Sequence, residues 1–153
     1  MAFNQKKTNQ NSNSKNVVYK NIGIRGAGFI NQLRLIKKGD KSTLIAKLSL
    51  QQGKVIDGNF DDVENFFFES IVFDEDVKNV LIDGIFDGVS INENGVTIVK
   101  PEMTLSGAFS FSNITRVDIV DSKPCIHSPI IGCAYLAYDD DIVYDNRKSK
   151  TDK

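Results

Sequence analysis

The feature that most constrains the fold is the stretch from Gly26 to Gly53, where two extended runs flank a short charged turn. The second run alternates with a period of two, and its apolar face consists of Leu44, Ala46, Leu48 and Leu50. This alternation is typical of a β-strand with one buried side. Between the runs, Gly39 and Asp40 supply residues that favour a tight turn. The stretch therefore predicts a long β-hairpin.

The first run of this hairpin alternates less regularly. A strict period of two places Phe29 and Asn31 on one face with Leu33 and Leu35. It places Arg34 on the opposite face, together with Ile30, Gln32 and Ile36. Arg34 is therefore expected to point outward from a sheet whose other side is buried. Glycines just before this run are expected to mark bulges or tight bends, which a small barrel needs in order to curl.

The rest of the chain predicts one more strand, a helix and further strands. Val63–Phe73 is rich in aromatic and β-branched residues and predicts a buried third strand. Acidic residues then precede apolar residues at helical spacing, which predicts a helix over residues 75–86. Residues 89–100 predict a hairpin around the Asn92–Gly95 turn. Residues 105–120 are expected to form one long or two broken strands, and residues 130–136 are expected to form a last strand.

This element order predicts the fold class and the domain organisation. Three meandering strands, one helix and a closing hairpin are the layout of an OB-fold, so we expect a mainly β, five-stranded OB-fold-like barrel with one helix between strands 3 and 4. Residues 1–16 are almost devoid of apolar side chains and are expected to be a disordered basic and polar arm. The domain is expected over residues 17–138, and residues 139–153 are expected to be a fraying polar tail with acidic and basic residues.

The distribution of charge is more informative than the net charge of -1. Residues 1–41 hold nine Lys or Arg and one Asp, a net charge of +8, whereas residues 57–93 hold one Lys and eleven Asp or Glu, a net charge of -10. Such asymmetry favours a dipolar surface with one face suited to polyanions. The alternative is a basic disordered arm beside an acidic solvated face.

Two cysteines without a pairing pattern are expected to be free thiols in a reducing cytosol, so the expected localisation is cytoplasmic. No apolar run in the sequence approaches the length of a membrane span, and no membrane association is expected.

The residues Gly28-Phe29-Ile30-Asn31-Gln32-Leu33-Arg34, the lysine-rich turn and Leu44-Ile45-Ala46-Lys47-Leu48 resemble a family of proteins from integrative and conjugative elements. Members of that family are described as uncharacterised or replication-associated. The same hairpin is more distantly similar to the first two strands of OB-fold single-stranded DNA-binding proteins. Gln32 stands where the family often has an arginine. The resemblance covers the first third of the domain and implies an OB-fold and a role in mobile-element DNA maintenance, including conjugation and DNA replication.

Single-stranded DNA binding requires cations along the phosphates and aromatic faces for base stacking. The hairpin and its surroundings supply the candidate cations Arg25, Arg34, Lys37, Lys38, Lys41 and Lys47. The candidate aromatic residues are Phe29, Phe67 and Phe111, with Tyr19 as a further one. The alternatives are a solvated hairpin tip for the lysines and a place in the core for each Phe.

The sequence gives no complete catalytic, metal or cofactor site. Cys125, His127 and Cys133 offer soft ligands, but structural zinc takes four, so no metal is expected. A single histidine excludes a triad that needs two, and a Cys-His dyad would need a cleft beside it. The Gly26-Ala27-Gly28 segment lacks the third glycine of a dinucleotide fingerprint, so no cofactor is expected.

We therefore expect a non-catalytic single-stranded DNA-binding protein with low sequence specificity, which assembles as a homo-oligomer. Asp139–Tyr144 resembles the acidic, aromatic-ended tip with which bacterial single-strand-binding proteins recruit partners, so replication or recombination proteins are candidate partners. The alternative function is a protein-interaction or oligomerisation module, an adaptor or inhibitor of a mobile element that uses the barrel surface.

Overall fold

The computed structural model describes residues 23–147, which form a mainly β architecture with one α-helix. The elements in chain order are β1 (Ile24–Lys38), β2 (Lys41–Ile56), β3 (Asn59–Ile71), α1 (Glu75–Ile85), β4 (Val96–Val99), β5 (Leu105–Phe111), β6 (Arg116–Val120), β7 (Lys123–His127), β8 (Ile130–Tyr138) and β9 (Asp141–Asp145). The predicted mainly β, OB-fold-like class with a helix between strands 3 and 4 is confirmed. The strands are more numerous than the predicted five, because the chain after α1 forms several short ones.

The predicted hairpin is present as β1 and β2, with the turn at Gly39 and Asp40. Gly39 adopts a φ of 64°, a left-handed conformation that glycine reaches without a steric cost. A register shift at Asn31 explains the irregular alternation of the first run. Because this bulge adds one residue, Ile30 lies on the buried face together with Leu33 and Leu35, and Phe29 does not.

The second hairpin, β2–β3, extends beyond the core as a two-stranded arm. Residues 51–62 are exposed throughout, and their pairing continues from Gln51 opposite Asn65 to Ile56 opposite Asn59. Acidic side chains dominate the β3 strand of this arm, with Asp61, Asp62 and Glu64. The arm therefore carries negative charge away from the barrel.

The helix begins as the sequence predicts. The Asp74 carboxylate accepts hydrogen bonds from the backbone N–H groups of Asp76 and Val77, which satisfies two otherwise unpaired donors at the helix N-terminus. Val77, Leu81 and Ile85 form the buried face of α1 and join the same apolar core as the sheet. The helix thus covers part of the barrel interior, as the apolar periodicity predicts.

The sheet curls so that its two halves approach each other. The order of hydrogen-bonded strands is β6-β7-β3-β2-β1-β5-β8-β9, with β4 paired to β1 beside it. The ladder is not closed, but a single parallel bridge joins Val72, just after β3, to Ile130 at the start of β8. The Phe73 N–H also donates to the Ile130 carbonyl at 2.9 Å. This arrangement encloses a core that includes Leu33, Leu48 and Phe109.

Two local predictions are wrong. Residues 89–91 form no strand, and β4 instead pairs with β1, where Leu33 lies opposite Val99. The predicted fraying after residue 138 does not occur over residues 141–145, because β9 pairs with β8. The first error concerns a partner distant in sequence, which a local pattern does not identify, whereas the second concerns a hairpin between neighbouring strands in a polar stretch.

Three predictions lie outside the described residues: the disordered arm over residues 1–16, the start of the domain near Val17 and the candidate aromatic Tyr19. Residues 148–153 of the predicted tail lie outside them as well. Within residues 23–147, no helix has the length and apolar character that crossing a membrane requires.

Gly28 is a position where the hairpin tolerates no side chain. A Cβ atom at Gly28 would overlap the Ser49 carbonyl oxygen on the neighbouring strand. We predict that Gly28→Ala lowers the free energy of unfolding by about 1–3 kcal/mol, because backbone has to move to make room. Gly132→Ala is the matched control, since its Cβ would meet only Ser110 Cβ at 3.8 Å. Urea denaturation of both variants measures this difference, and equal stabilities would contradict the prediction.

Candidate nucleic-acid interface

The outward face of the curled sheet carries a groove of about 540 Å³. Its floor includes Lys47 of β2 together with Phe67 and Glu69 of β3. Its walls are formed by residues of β1, by Lys100 and by the β6–β7 hairpin. The full lining comprises Asn31, Gln32, Lys47, Leu48, Phe67, Phe68, Glu69, Lys100, Val120, Asp121, Lys123, Pro124 and Cys125.

Strand register explains why the side chains of Lys47, Phe67, Glu69 and Cys125 share one face. In β2 and β3, Lys47 lies opposite Glu69 and Ser49 lies opposite Phe67. On the other side of β3, the parallel strand β7 places Cys125 opposite Phe67 and continues this row. Because side chains alternate between the faces of a strand, residues two apart point the same way. The buried partners, such as Leu48 opposite Phe68, fill the core from the other face.

Three lysines border the groove. Lys47, Lys100 and Lys123 are exposed, and none of them forms an ion pair with a carboxylate among residues 23–147. The Lys123 ammonium lies 5.4 Å from the centre of the Phe67 ring, within the range of a cation–π contact. The groove therefore combines uncompensated positive charge with a half-buried aromatic ring.

Arg34 is placed differently from Lys47. Its guanidinium forms an ion pair with the Glu69 carboxylate, and both side chains are largely shielded from solvent, with 30% and 20% of their surface exposed. Arg34 points to the face of β1 opposite to the one that buries Leu33 and Leu35, as its position in the strand predicts. Its charge is already compensated by Glu69, whereas Lys47 forms no ion pair with a carboxylate of the described residues 23–147.

The other predicted cations lie away from the groove. Lys37 forms an ion pair with Glu93 at 3.1 Å. Lys38 and Lys41 are exposed and lie opposite each other beside the hairpin turn. Arg25 is exposed near the start of β1, beside β5, where it borders a separate shallow depression. The tip of the first hairpin is thus cationic through Lys38 and Lys41.

The predicted aromatic residues separate into three environments. Phe67 lines the groove and is half-buried. Phe29 is half-buried and borders a different depression near Pro101. Phe111 is only 2% exposed and packs against Phe68 with 4.7 Å between ring centres. The prediction of Phe111 as a stacking residue is therefore corrected, because a ring inside the core offers no face to a base.

The structure adds two residues that the sequence did not single out. Lys100 follows β4, and Lys123 begins β7, between the strands predicted over residues 105–120 and 130–136. Both reach the groove through strand pairings distant in sequence, between β4 and β1 and between β7 and β3. No local periodicity marks either residue, so sequence reasoning had no signal for them.

The two thiols lie in different surroundings. Cys125 borders the groove, and its pKa is raised by partial burial and by the nearby Glu69 carboxylate. Cys133 is 4% exposed, and burial raises the pKa of its thiol to about 12. Since the thiolate is the reactive form, both thiols are less reactive than a free cysteine at neutral pH, and Cys133 much more so.

No family model matches the sequence. No curated protein matches it either. A search of solved structures found similarity to the small single-stranded DNA-binding protein from Streptomyces coelicolor, with a TM-score of 0.40 and 10% sequence identity. The similarity covers 79% of this chain and 96% of that chain. A similarity of this size assigns no function.

The groove thiol should be the one that reacts in the folded protein. We predict that alkylation of the native protein at pH 8, in the presence of a chelator, labels Cys125 slowly and leaves Cys133 unlabelled, because Cys133 is buried and its pKa is about 12. Mass spectrometry of the labelled peptides measures this difference. Native Cys125→Ser protein should take up almost no label. Labelling of that variant at the wild-type rate would contradict the burial of Cys133.

Proposed function

We propose that this protein binds single-stranded nucleic acid, with single-stranded DNA as the expected ligand, without catalysis and with little sequence preference. The observation that carries this proposal is the groove, where Lys47, Lys100 and Lys123 line the same cavity as Phe67 and the Lys123 ammonium lies over the Phe67 ring. Cationic grooves with aromatic rings bind single strands because lysines contact phosphates while bases stack on the rings. Neither contact reads the identity of a base by hydrogen bonding, which accounts for the low specificity.

The positions of the charges suggest a path for the strand. Lys41 and Lys47 are six residues apart on β2, so they lie on the same face and about 20 Å apart. This face connects the cationic hairpin tip to the groove. The arm formed by β2 and β3 carries Asp57, Asp61 and Asp62 and would repel phosphates. A single nucleic-acid strand is therefore expected to run from the tip of the β1–β2 hairpin past Lys47 toward Lys123, away from the β2–β3 arm.

The wider biological setting is a further part of the proposal. A role in mobile-element DNA maintenance rests on the sequence resemblance of residues 28–48 alone, and assembly as a homo-oligomer is an expectation from the sequence. Asp139–Tyr144 is not a free peptide tip, since β9 belongs to the sheet and the half-buried Tyr144 packs against the core. Recruitment of replication or recombination proteins there would have to use the outer edge of β9.

A second candidate function is supported by the exposed end of the β2–β3 arm. Val55, Ile56 and Phe60 are each more than half exposed beside acidic residues. Exposed apolar side chains grouped in this way are typical of protein interaction sites. This observation favours the alternative of a protein-interaction or oligomerisation module. Size-exclusion chromatography with light scattering, with and without an oligonucleotide, distinguishes self-association from nucleic-acid binding.

Removing groove lysines should weaken nucleic-acid binding. We predict that the double variant Lys47→Ala, Lys123→Ala binds a fluorescent oligothymidine more weakly than wild type. The slope of log affinity against log salt should also fall by about 1.4, because each phosphate contact contributes about 0.7 for a single strand. Fluorescence anisotropy at several salt concentrations measures both effects.

Lys54→Ala removes one positive charge from the exposed arm and is the matched control for each of the two groove substitutions made singly. It should bind like wild type. Wild-type protein that shows no anisotropy change at low salt would overturn the proposed function. Equal losses in Lys54→Ala and in either single groove substitution would show that net charge, rather than the groove, governs binding.

Replacing the groove aromatic should remove stacking and leave the charge unchanged. We predict that Phe67→Leu costs about 1–3 kcal/mol of binding free energy while the salt slope stays at the wild-type value. Phe60→Leu, at the exposed end of the arm, should bind as wild type. Anisotropy measures the affinities, and circular dichroism confirms that both variants are folded. A Phe67→Leu affinity equal to wild type would exclude Phe67 as a stacking residue.

A further inference from the structure

A cluster of three potential metal ligands lies at the edge of the groove. Glu69, Cys125 and His127 each offer one ligand atom, and these atoms lie within 4.8 Å of one another. The parallel pairing of β3 and β7 creates this cluster, since Glu69 is the register partner of His127. Cys125 is two residues before His127, so both side chains project from the same face of β7.

The histidine ring is held in an orientation that suits metal binding. Its Nε2 atom lies 3.0 Å from the Asp118 carboxylate, while its Nδ1 atom faces Glu69 Oε1 at 3.9 Å. With the Nε2 proton donated to Asp118, the Nδ1 lone pair points into the cluster. Histidines that bind metals usually donate their other ring N–H to a carboxylate in this way, which fixes the tautomer and raises the basicity of the ligand.

The glutamate is also oriented by a neighbour. The Arg34 guanidinium binds Glu69 through Oε2, which leaves Oε1 as the oxygen nearest to His127. Arg116 in turn forms an ion pair with Asp118 at 3.0 Å. The two arginines beside the cluster are therefore compensated by carboxylates, and their repulsion of a cation is reduced. Each carboxylate is positioned by an arginine and retains an interaction with the histidine.

We propose that Glu69, Cys125 and His127 bind a zinc ion through Oε1, Sγ and Nδ1, with Asp118 as a positioning residue. Sulfur, imidazole nitrogen and carboxylate oxygen together are the donors that zinc uses in proteins. Three protein ligands leave the fourth tetrahedral position to water. Binding displaces the Cys125 thiol proton to solvent, and the resulting thiolate supplies one negative charge to the ion, while the Glu69 carboxylate is shared between the ion and Arg34.

The cluster needs only a small adjustment to hold the ion. Bonds of about 2.0–2.3 Å in a tetrahedron separate the ligand atoms by roughly 3.3–3.8 Å. The Nδ1–Oε1 distance of 3.9 Å is already close to this range. The widest separations in the cluster have to close by about 1 Å, which side-chain rotation can supply. The site does not depend on nucleic-acid binding, although Glu69 and Cys125 also line the groove.

The test uses the full chain, purified with a chelator and then freed of it, without oligonucleotide. Calorimetric titration with zinc should show one equivalent bound per chain. Cobalt(II) should bind competitively and give the visible bands of tetrahedral coordination together with a thiolate charge-transfer band in the near ultraviolet.

Cys125→Ser should lose the charge-transfer band, and Glu69→Gln should bind zinc at least tenfold more weakly. Asp118→Asn should weaken zinc binding about 10–100-fold, as expected for a residue that orients a ligand.

Cys133→Ala is the matched control, because it removes the other thiol, which lies in the core away from the cluster. It should bind zinc and give the cobalt spectrum of the wild type. Absence of zinc binding by the wild type, or a charge-transfer band that persists in Cys125→Ser, would overturn the proposal. If circular dichroism shows that a variant is unfolded, the rate of alkylation of Cys125 in the wild type, measured with and without zinc, tests the proposal instead. Protection by zinc supports the site, and an unchanged rate refutes it.

Discussion

The candidate site depends on one backbone interaction, the parallel pairing between β3 and β7. It adds the β6–β7 hairpin to the sheet along the edge of β3, which completes the groove beside Phe67 and places Lys123 over that ring. The same pairing sets His127 opposite Glu69. Just beyond it, the bridge between Val72 and Ile130 curls the sheet around its core. The groove and the core thus share a structural origin.

Charge divides the surface into regions with different roles. The first hairpin and the groove present uncompensated lysines, whereas the β2–β3 arm presents aspartates and glutamates. Within the sheet face, the charge of Arg34 is compensated by Glu69, whereas the neighbouring Lys47 forms no ion pair with a carboxylate of residues 23–147. A polyanion would therefore contact the groove and avoid the arm, and a protein partner would find apolar side chains such as Phe60 at the end of the arm. Both proposed functions follow from this division.

Glu69 links the two features of the groove that concern binding. Its carboxylate compensates Arg34 on one side and faces His127 on the other. A zinc ion at the cluster would be coordinated by Glu69 Oε1 and would place positive charge at the groove wall, near Phe67. The proposed metal site and the proposed phosphate contacts are thus neighbours, although the two are tested independently.

The sequence by itself determined the elements that rest on local patterns. Period-two alternation predicted the first hairpin, and acidic residues followed by apolar residues at helical spacing predicted α1. Only the tertiary structure decided which elements pair over long distances, and so it decided the groove. Lys123 and Phe67 come together, Phe111 enters the core and Glu69 joins Cys125 and His127 through pairings between residues far apart in the chain. The physical reason is that periodicity reports which side of a strand is buried, whereas the partner of a strand edge is set by how the whole sheet curls.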